Sequence, residues 1–205
     1  MIICSYYTQN TPYESVIKDC LIPGLKKYDL EYDIEAIDDL GDWQNNTGYK
    51  SKLIKKMLLK HKQPVCFLDA DAKIAQYPEL LFNLPKDIDI AYHHFNWFGF
   101  WRGQWENKSN IQLLSGTMTF SYNEKVLSLV DEWINKVSRD KGTLEQKILD
   151  DIVTSKTDLN IYDLPMEYCC IIKSDGSICD KVTTPVILHC QASRQYKRGE
   201  WRNKK

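Results

Sequence analysis

The sequence contains no apolar run approaching the roughly 18 residues that a membrane-spanning helix needs. It has no excess of charge of either sign: 27 Lys and Arg stand against 28 Asp and Glu, a net charge of −1. A globally basic nucleic-acid binder is thereby excluded, although a local basic patch is not. The seven cysteines are an odd number and include no CxxC pair. That pattern argues against a disulfide framework or a zinc site and predicts reduced thiols in a cytoplasmic setting. Met1-Ile2-Ile3-Cys4-Ser5 has neither a basic leader nor a cleavage site, so no signal peptide is expected. Internal repeats, low-complexity runs and linker-like stretches are missing as well. What is there is an ordinary globular mixture: 205 residues, 43% hydrophobic and 27% charged, enough for one domain with a sizeable core.

Strand-like and helix-like segments alternate along the chain. Residues 2–7 (IICSYY) are short, apolar and β-prone. Thr11-Pro12-Tyr13-Glu14 then predicts a capped helix start, with Glu14 closing a capping box and Pro23-Gly24 interrupting the helix later. Residues 31–37 alternate as a half-buried strand, and 38–48 are rich in turn formers. From Lys50 to His61, Leu53, Ile54, Met57 and Leu58 recur at helical spacing. Residues 64–68 form a fully apolar strand, and 87–92 an alternating one. The stretch 95–110 is aromatic and irregular, and 111–122 is β-prone around Ser115-Gly116. Two helices follow over 126–137 and 144–152, and Val186-Ile187-Leu188 is a last buried strand ending at His189. From Arg194 onward six basic residues face one acid, a local charge of +5. Alternating β and α segments with apolar strands predict an α/β fold, a mostly parallel sheet covered by helices.

The segment that carries chemistry is Val65-Cys66-Phe67-Leu68-Asp69-Ala70-Asp71, a buried strand ending in two carboxylates one residue apart. In open α/β sheets ligands bind at the carboxyl ends of strands. Two carboxylates that close repel each other and are best tolerated beside a cation. Oxygen ligands suit Mg²⁺ or Mn²⁺, and such an ion can neutralise a departing nucleoside diphosphate. An exposed acidic turn is the bland alternative. His189 also ends a buried strand, so it either completes a carboxylate site as a neutral imidazole or is a satisfied histidine at a sheet edge. His93 and His94 are adjacent and point to opposite faces of a strand, which suits a structural or acceptor-side role better than shared ligation.

In this order the segments resemble the metal-dependent GT-A nucleotide-sugar glycosyltransferases. The resemblance lies in residues 2–8 as a first nucleotide-binding strand and in 49–60 (YKSKLIKKMLLK) as a Lys-rich helix before the DxD. It continues in 112–120 (QLLSGTMTF) as the segment backing the donor sugar, and in 143–151 (TLEQKILDD) as an acidic-Gln helix start beside it. The last part is Leu188-His189-Cys190 as a C-terminal segment whose histidine is the third metal ligand. It implies a GT-A fold with a Rossmann-like central sheet, and a single domain with a nucleotide-binding half over 1–93, a sugar and acceptor half over 94–193 and a basic tail over 194–205. It implies Mn²⁺ or Mg²⁺ on Asp69, Asp71 and His189. It places the donor, a UDP-sugar by preference, among Tyr6, Thr8, Asp38, Lys50, Asp69, Ser115, Gly116, Arg194 and Lys197. Glu145, Gln146 and Asp71 are the catalytic candidates.

The residues themselves leave some of these roles open. Tyr6 can stack on a nucleobase or sit in the core. Gly116 can mark the close approach of a sugar or a bulge. Glu145 can bind sugar hydroxyls, act as a base, or simply favour a helix start. Arg194 can hold the diphosphate, whereas Lys197 suits that role or a solvated tail equally. The aromatics of 95–110 suit a mobile acceptor platform or lid, and with the basic tail they suit stacked nucleic acid. The acceptor is therefore a saccharide or a hydroxymethylated pyrimidine of phage DNA, the latter placing the protein in a host cytoplasm. Two alternatives remain: a haloacid-dehalogenase-type phosphatase with Asp69 as nucleophile, against which Lys73 and the strands preceding the DxD speak, and a non-catalytic nucleotide-sugar-binding module.

Overall fold

The computed structural model describes residues 1–197, apart from the side chains of Gln195 and Lys197; the tail from 198 lies outside the described residues. Elements follow in the order β1 (Ile2–Thr8), α1 (Pro12–Asp19), α2 (Leu21–Lys27), β2 (Tyr32–Ile37), α3 (Trp43–His61), β3 (Val65–Leu68), β4 (Ala72–Ile74), α4 (Glu79–Phe82) and β5 (Ile90–Asn96). The second half continues with α5 (Trp97–Arg102), β6 (Ile111–Phe120), α6 (Glu124–Arg139), α7 (Glu145–Ser155), β7 (Ile161–Asp163), β8 (Cys170–Ile171), β9 (Ile187–His189) and α8 (Ala192–Lys197).

Among the described residues, six strands make a central sheet in the order β2-β1-β3-β6-β5-β7. β1 runs parallel to β2 and β3, and β5 parallel to β7. β6 is antiparallel to both its neighbours, so the predicted mostly parallel sheet carries one reversed strand at its centre. Strand residues alternate between two cores, as the two-residue period requires. Cys4, Val65 and Phe67 pack with Leu53, Ile54, Met57 and Leu58 of α3 and Trp133 of α6. Ile3, Cys66 and Leu68 pack on the other face with Ile17, Leu21 and Leu25 of α1 and α2 and with the small sheet.

That small sheet, ordered β4-β9-β8, sets up the site. β4 leaves β3 through the Asp69–Asp71 turn, closed by the Ala72 amide on the Asp69 carbonyl at 2.9 Å. It then pairs antiparallel with β9, placing Ala72 opposite His189. The last strand over 186–188 therefore lies not in the central sheet but beside the DxD turn.

Several boundaries differ from the sequence expectation. α3 begins at Trp43 and not at Lys50, because Asp42 caps it: its Oδ1 accepts from the Asn45 amide at 2.7 Å. The Thr11 cap on the Tyr13 amide forms, but Glu14 accepts from Asn10, one residue before the cap, so the capping box is displaced. The break near Pro23-Gly24 falls earlier, at Cys20 between α1 and α2, and Gly24 is buried against Ile74. The strand over 87–92 is shifted to Ile90–Asn96, and part of the irregular aromatic stretch is helix α5.

Candidate active site

The two aspartates and the histidine converge. Asp69 follows β3, Asp71 precedes β4, and His189 ends β9; one ligand atom from each lies within 4.8 Å of the others. The central sheet anchors the turn, since the Asp69 amide donates to the Gly116 carbonyl of β6 at 2.9 Å. The Asp71 carboxylate accepts from the Ala192 amide at 2.8 Å and lies 3.9 Å from Nδ1 of His189. Burial pushes the Asp69 carboxyl up, and the neighbouring Asp71 charge adds to this against the pull of Lys50. Burial raises Asp71 too, but the His189 ring and the Ala192 amide outweigh it and leave it below its ordinary value. Gly116 explains itself here. A Cβ on it would come within 2.7 Å of Cε1 and 2.9 Å of Nδ1 of His189, and within 3.1 Å of Asp69 Oδ2. The glycine is neither a bulge marker nor a sugar contact alone: it leaves room for the imidazole and the carboxylate to share one spot. Two carboxylates and an imidazole over a glycine cradle fit a hard divalent cation.

Lys50 forms the floor. Its ammonium, on a side chain only 4% exposed, lies 3.1 Å from Asp69 Oδ1 and 3.3 Å from Glu145 Oε1. It also donates to the Ser115 hydroxyl at 2.9 Å and lies over the Phe67 ring at 4.8 Å. Burial pulls its pKa down, and the two carboxylates more than restore it, holding it above its ordinary value. Ser115 donates in turn to Glu145 at 3.3 Å and to Gln146 at 3.1 Å. Beyond β3, the edge amides of β6 turn to α7: Ser115 donates to the Gln146 side chain at 3.1 Å and Leu113 to Asp150 at 3.1 Å. Gln146 and Asp150 thus fasten α7 to the sheet, and Glu145 is delivered to Lys50.

These groups line one cleft of about 250 Å³ at the carboxyl ends of β1 and β3. Tyr6, Thr8, Lys50, Asp69, Asp71, Ser115, Gly116, Glu145, Gln146 and His189 all contribute to its wall. Tyr6 is held by donating to the Asn46 carbonyl at 2.7 Å and by an edge-on contact with Tyr49. The Thr8 and Thr11 hydroxyls lie 2.9 Å apart. Tyr13, Trp43, Asn46 and Thr117 line the cleft without having been singled out in the sequence.

Comparison with known proteins decides what this architecture is. Residues 32–200 match the nucleotide-diphospho-sugar transferase family. The chain belongs to that family. Among curated proteins, none matches the sequence. A glycosyltransferase involved in the glycosylation of the major capsid of PBCV-1 superposes with a TM-score of 0.67 at 14% identity, over 96% of this chain and 97% of that one. The glycosyltransferase GlyE of Streptococcus pneumoniae TIGR4 gives a TM-score of 0.61 at 13% identity, over 92% of this chain and 53% of its own length. The galactosyltransferase LgtC, in complex with donor and acceptor sugar analogs, gives 0.54 at 10% identity over the whole of both chains. At these identities the likeness is one of fold, and the fold is GT-A. The transferase has no helix, among the described residues, long and apolar enough to cross a membrane. Membership of this family displaces the phosphatase and binding-module readings, and the Asp69 of the transferase is ion-paired with Lys50.

Two expected donor contacts, Asp38 and Arg194, do not line the cleft of the transferase. Asp38 is exposed after β2, accepting from Gln9 at 2.5 Å. Arg194 sits with its guanidinium 5.0 Å from the ring centre of Trp101. Lys197 ends α8, and its side chain lies outside the described residues. The aromatic stretch 95–110 is divided: Phe95 and Phe100 are buried, Trp97, Phe98 and Trp105 are half-buried, and Gly99 packs under Trp105. Trp101 alone of that group is a large exposed hydrophobic, 47% accessible. His93 is buried with Nδ1 2.7 Å from the Leu164 carbonyl, while the His94 amide donates to Asp163.

Proposed function

We propose that this transferase moves a sugar from a nucleoside-diphosphate sugar, a UDP-sugar by preference, to an acceptor hydroxyl, with Mn²⁺ or Mg²⁺ held by Asp69, Asp71 and His189. The convergence of those three ligand atoms within 4.8 Å carries the reading. When bound, such an ion would neutralise the diphosphate as it leaves.

The chain's own residues divide the remaining work. Residues 1–93 supply the nucleotide half, where Tyr6 and Thr8 face the nucleoside. Residues 94–193 supply the sugar half, where Ser115, Gly116, Glu145 and Gln146 face the transferred ring. Lys50 holds Asp69 and Glu145 at fixed positions, so that neither carboxylate must reorganise when the donor arrives. An ion-paired Glu145 suits acceptance of hydrogen bonds from sugar hydroxyls. Arg194 follows the Asp71 carboxylate on the helix whose first amide binds it, which supports a role at the diphosphate; Lys197 is assigned to the same role from the sequence, its side chain lying outside the described residues. The exposed Trp101 with Arg194 beside it offers a stacking surface for the acceptor, either a saccharide or a hydroxymethylated pyrimidine of DNA.

Calorimetry with UDP and GDP in the presence of Mn²⁺ tests this reading. Metal-dependent binding that is lost in Asp71→Ala supports it. Binding of neither nucleotide, or binding untouched by that substitution, overturns it. Donor turnover on an acceptor panel containing oligosaccharides and hydroxymethylated DNA then assigns the acceptor.

A further inference from the structure

Thr117 is fully buried in β6, at 0% exposure, on a strand whose neighbours Met118 and Phe120 are core. Val would be the ordinary residue there. Its hydroxyl lies 2.9 Å from Nε2 of His189, which is itself only 5% exposed. On the far side of the same ring, Nδ1 faces the Asp71 carboxylate at 3.9 Å and shares the Gly116 cradle with Asp69.

A neutral imidazole carries one proton, and whichever nitrogen holds it cannot ligate a cation. Beside two carboxylates, the ring left to itself would place that proton on Nδ1, pointing at them. The site would then be occupied by its own N–H. A hydroxyl at Nε2 reverses the preference when it accepts the ring proton, and the Thr117 hydroxyl, 2.9 Å from Nε2, is the group placed to do so. We infer that Thr117 is a positioning residue: by accepting the Nε2 proton of His189 it fixes the tautomer whose bare Nδ1 faces Asp69 and Asp71. The placement is rigid, because Thr117 pairs with Leu68 across β3 and β6, one residue before Asp69. The same strand pair that sets the first aspartate therefore sets the imidazole, although His189 belongs to the small sheet. Groups that orient a metal-bound histidine commonly change metal affinity about 10–100-fold when removed.

The inference rests on the metal reading proposed above, and two measurements separate them. Long-range ¹H–¹⁵N spectra of the metal-free protein, recorded well above the ordinary histidine pKa of about 6.5, report the His189 tautomer directly. The wild type should show the proton on Nε2, Thr117→Val should move it wholly or partly to Nδ1, and Thr117→Ser should restore it. In Mn²⁺ titrations with UDP present, followed by electron paramagnetic resonance, Thr117→Val should bind about 10–100-fold more weakly and Thr117→Ser close to wild type. A proton on Nδ1 in the wild type overturns the inference without any variant. So does a folded Thr117→Val with unchanged tautomer and affinity. Wild type that takes up no Mn²⁺ overturns the metal reading instead, while the tautomer measurement still stands by itself.

Discussion

The Lys50 ammonium and the Glu145 carboxylate meet at 3.3 Å with side chains only 4% and 7% exposed. A buried pair of this kind contributes little net stability, but removing one partner strands the other charge, at a cost of about 3–5 kcal/mol. Lys50→Met should therefore destabilise the fold by about that amount, since both Glu145 and Asp69 lose their cation. Lys50→Met combined with Glu145→Gln should recover much of the loss, an interaction energy above about 0.5 kcal/mol. Urea unfolding of the single and double variants measures it; strictly additive effects would show that the pair is not coupled.

Gly116 has no left-handed backbone requirement, so alanine is tolerated by the chain itself. Its methyl group would nevertheless displace the His189 ring, which lies 2.7 Å from the Cβ position, before disturbing any backbone. Gly116→Ala should therefore remain folded by circular dichroism and lose at least about tenfold in Mn²⁺ affinity. Equal affinity in the two proteins would mean that the imidazole is not a ligand.

Asp89 lies away from the cleft and gives stability a pH dependence. Burial raises its pKa, but its carboxylate accepts from the Asn160 amide at 2.9 Å, from Asn123 at 2.9 Å and from Lys125 at 3.0 Å, and the net direction is down. A folded value below the unfolded value of about 3.9 means stability fully present above the unfolded pKa and lost as pH falls through the folded one. Asp89→Asn should cost about 2 kcal/mol at neutral pH, within the range for hydrogen bonds to a charged group. It should also flatten the decline in stability below about pH 4. Urea midpoints measured between neutral and acid pH decide whether the two curves converge.

The parts of this fold that were legible in the sequence are those fixed by local pattern. The apolar runs of β1 and β3, the helical spacing from Leu53 to Leu58 and the DxD all follow from neighbours in the chain. What was not legible depends on contacts between distant segments. Asp42 turns a stretch of turn formers into the first two turns of α3, and only its cap on Asn45 reveals this. Of the small sheet only β9 shows, as the apolar run over 186–188; β4 and β8, with three and two residues, are too short for periodicity to reveal. Lys50 stands among the donor contacts that the resemblance implies, but only Asp69 and Glu145 arriving from other elements make it a buried floor. The reason for Gly116 lies in His189, far away in sequence.

The aromatic segment shows the same limit and yields the last prediction. Its density of rings suggests an open platform, yet Phe95 and Phe100 are spent on the core and the rings of Phe98 and Trp105 carry Arg102 and Lys181. Trp101 remains exposed, next to Arg194, on the helix whose first residue binds Asp71. Its ring meets Phe100 edge-on at 4.6 Å and carries Arg194, and in the function proposed above its open face stacks on the acceptor. Stacking of a base on an aromatic ring is worth about 1–3 kcal/mol, and 1.4 kcal/mol is a factor of ten. Trp101→Ala should thus raise the acceptor KM about tenfold while leaving donor KM and donor hydrolysis unchanged. Steady-state kinetics with each substrate varied in turn separates these. A change confined to the donor would place Trp101 on the nucleotide side, and no change in either would leave it a surface residue. Because the ring also supports Arg194, assigned above to the donor diphosphate, Arg194→Gln provides the control: it should raise the donor KM, and a rise in acceptor KM alone would move Arg194 to the acceptor side.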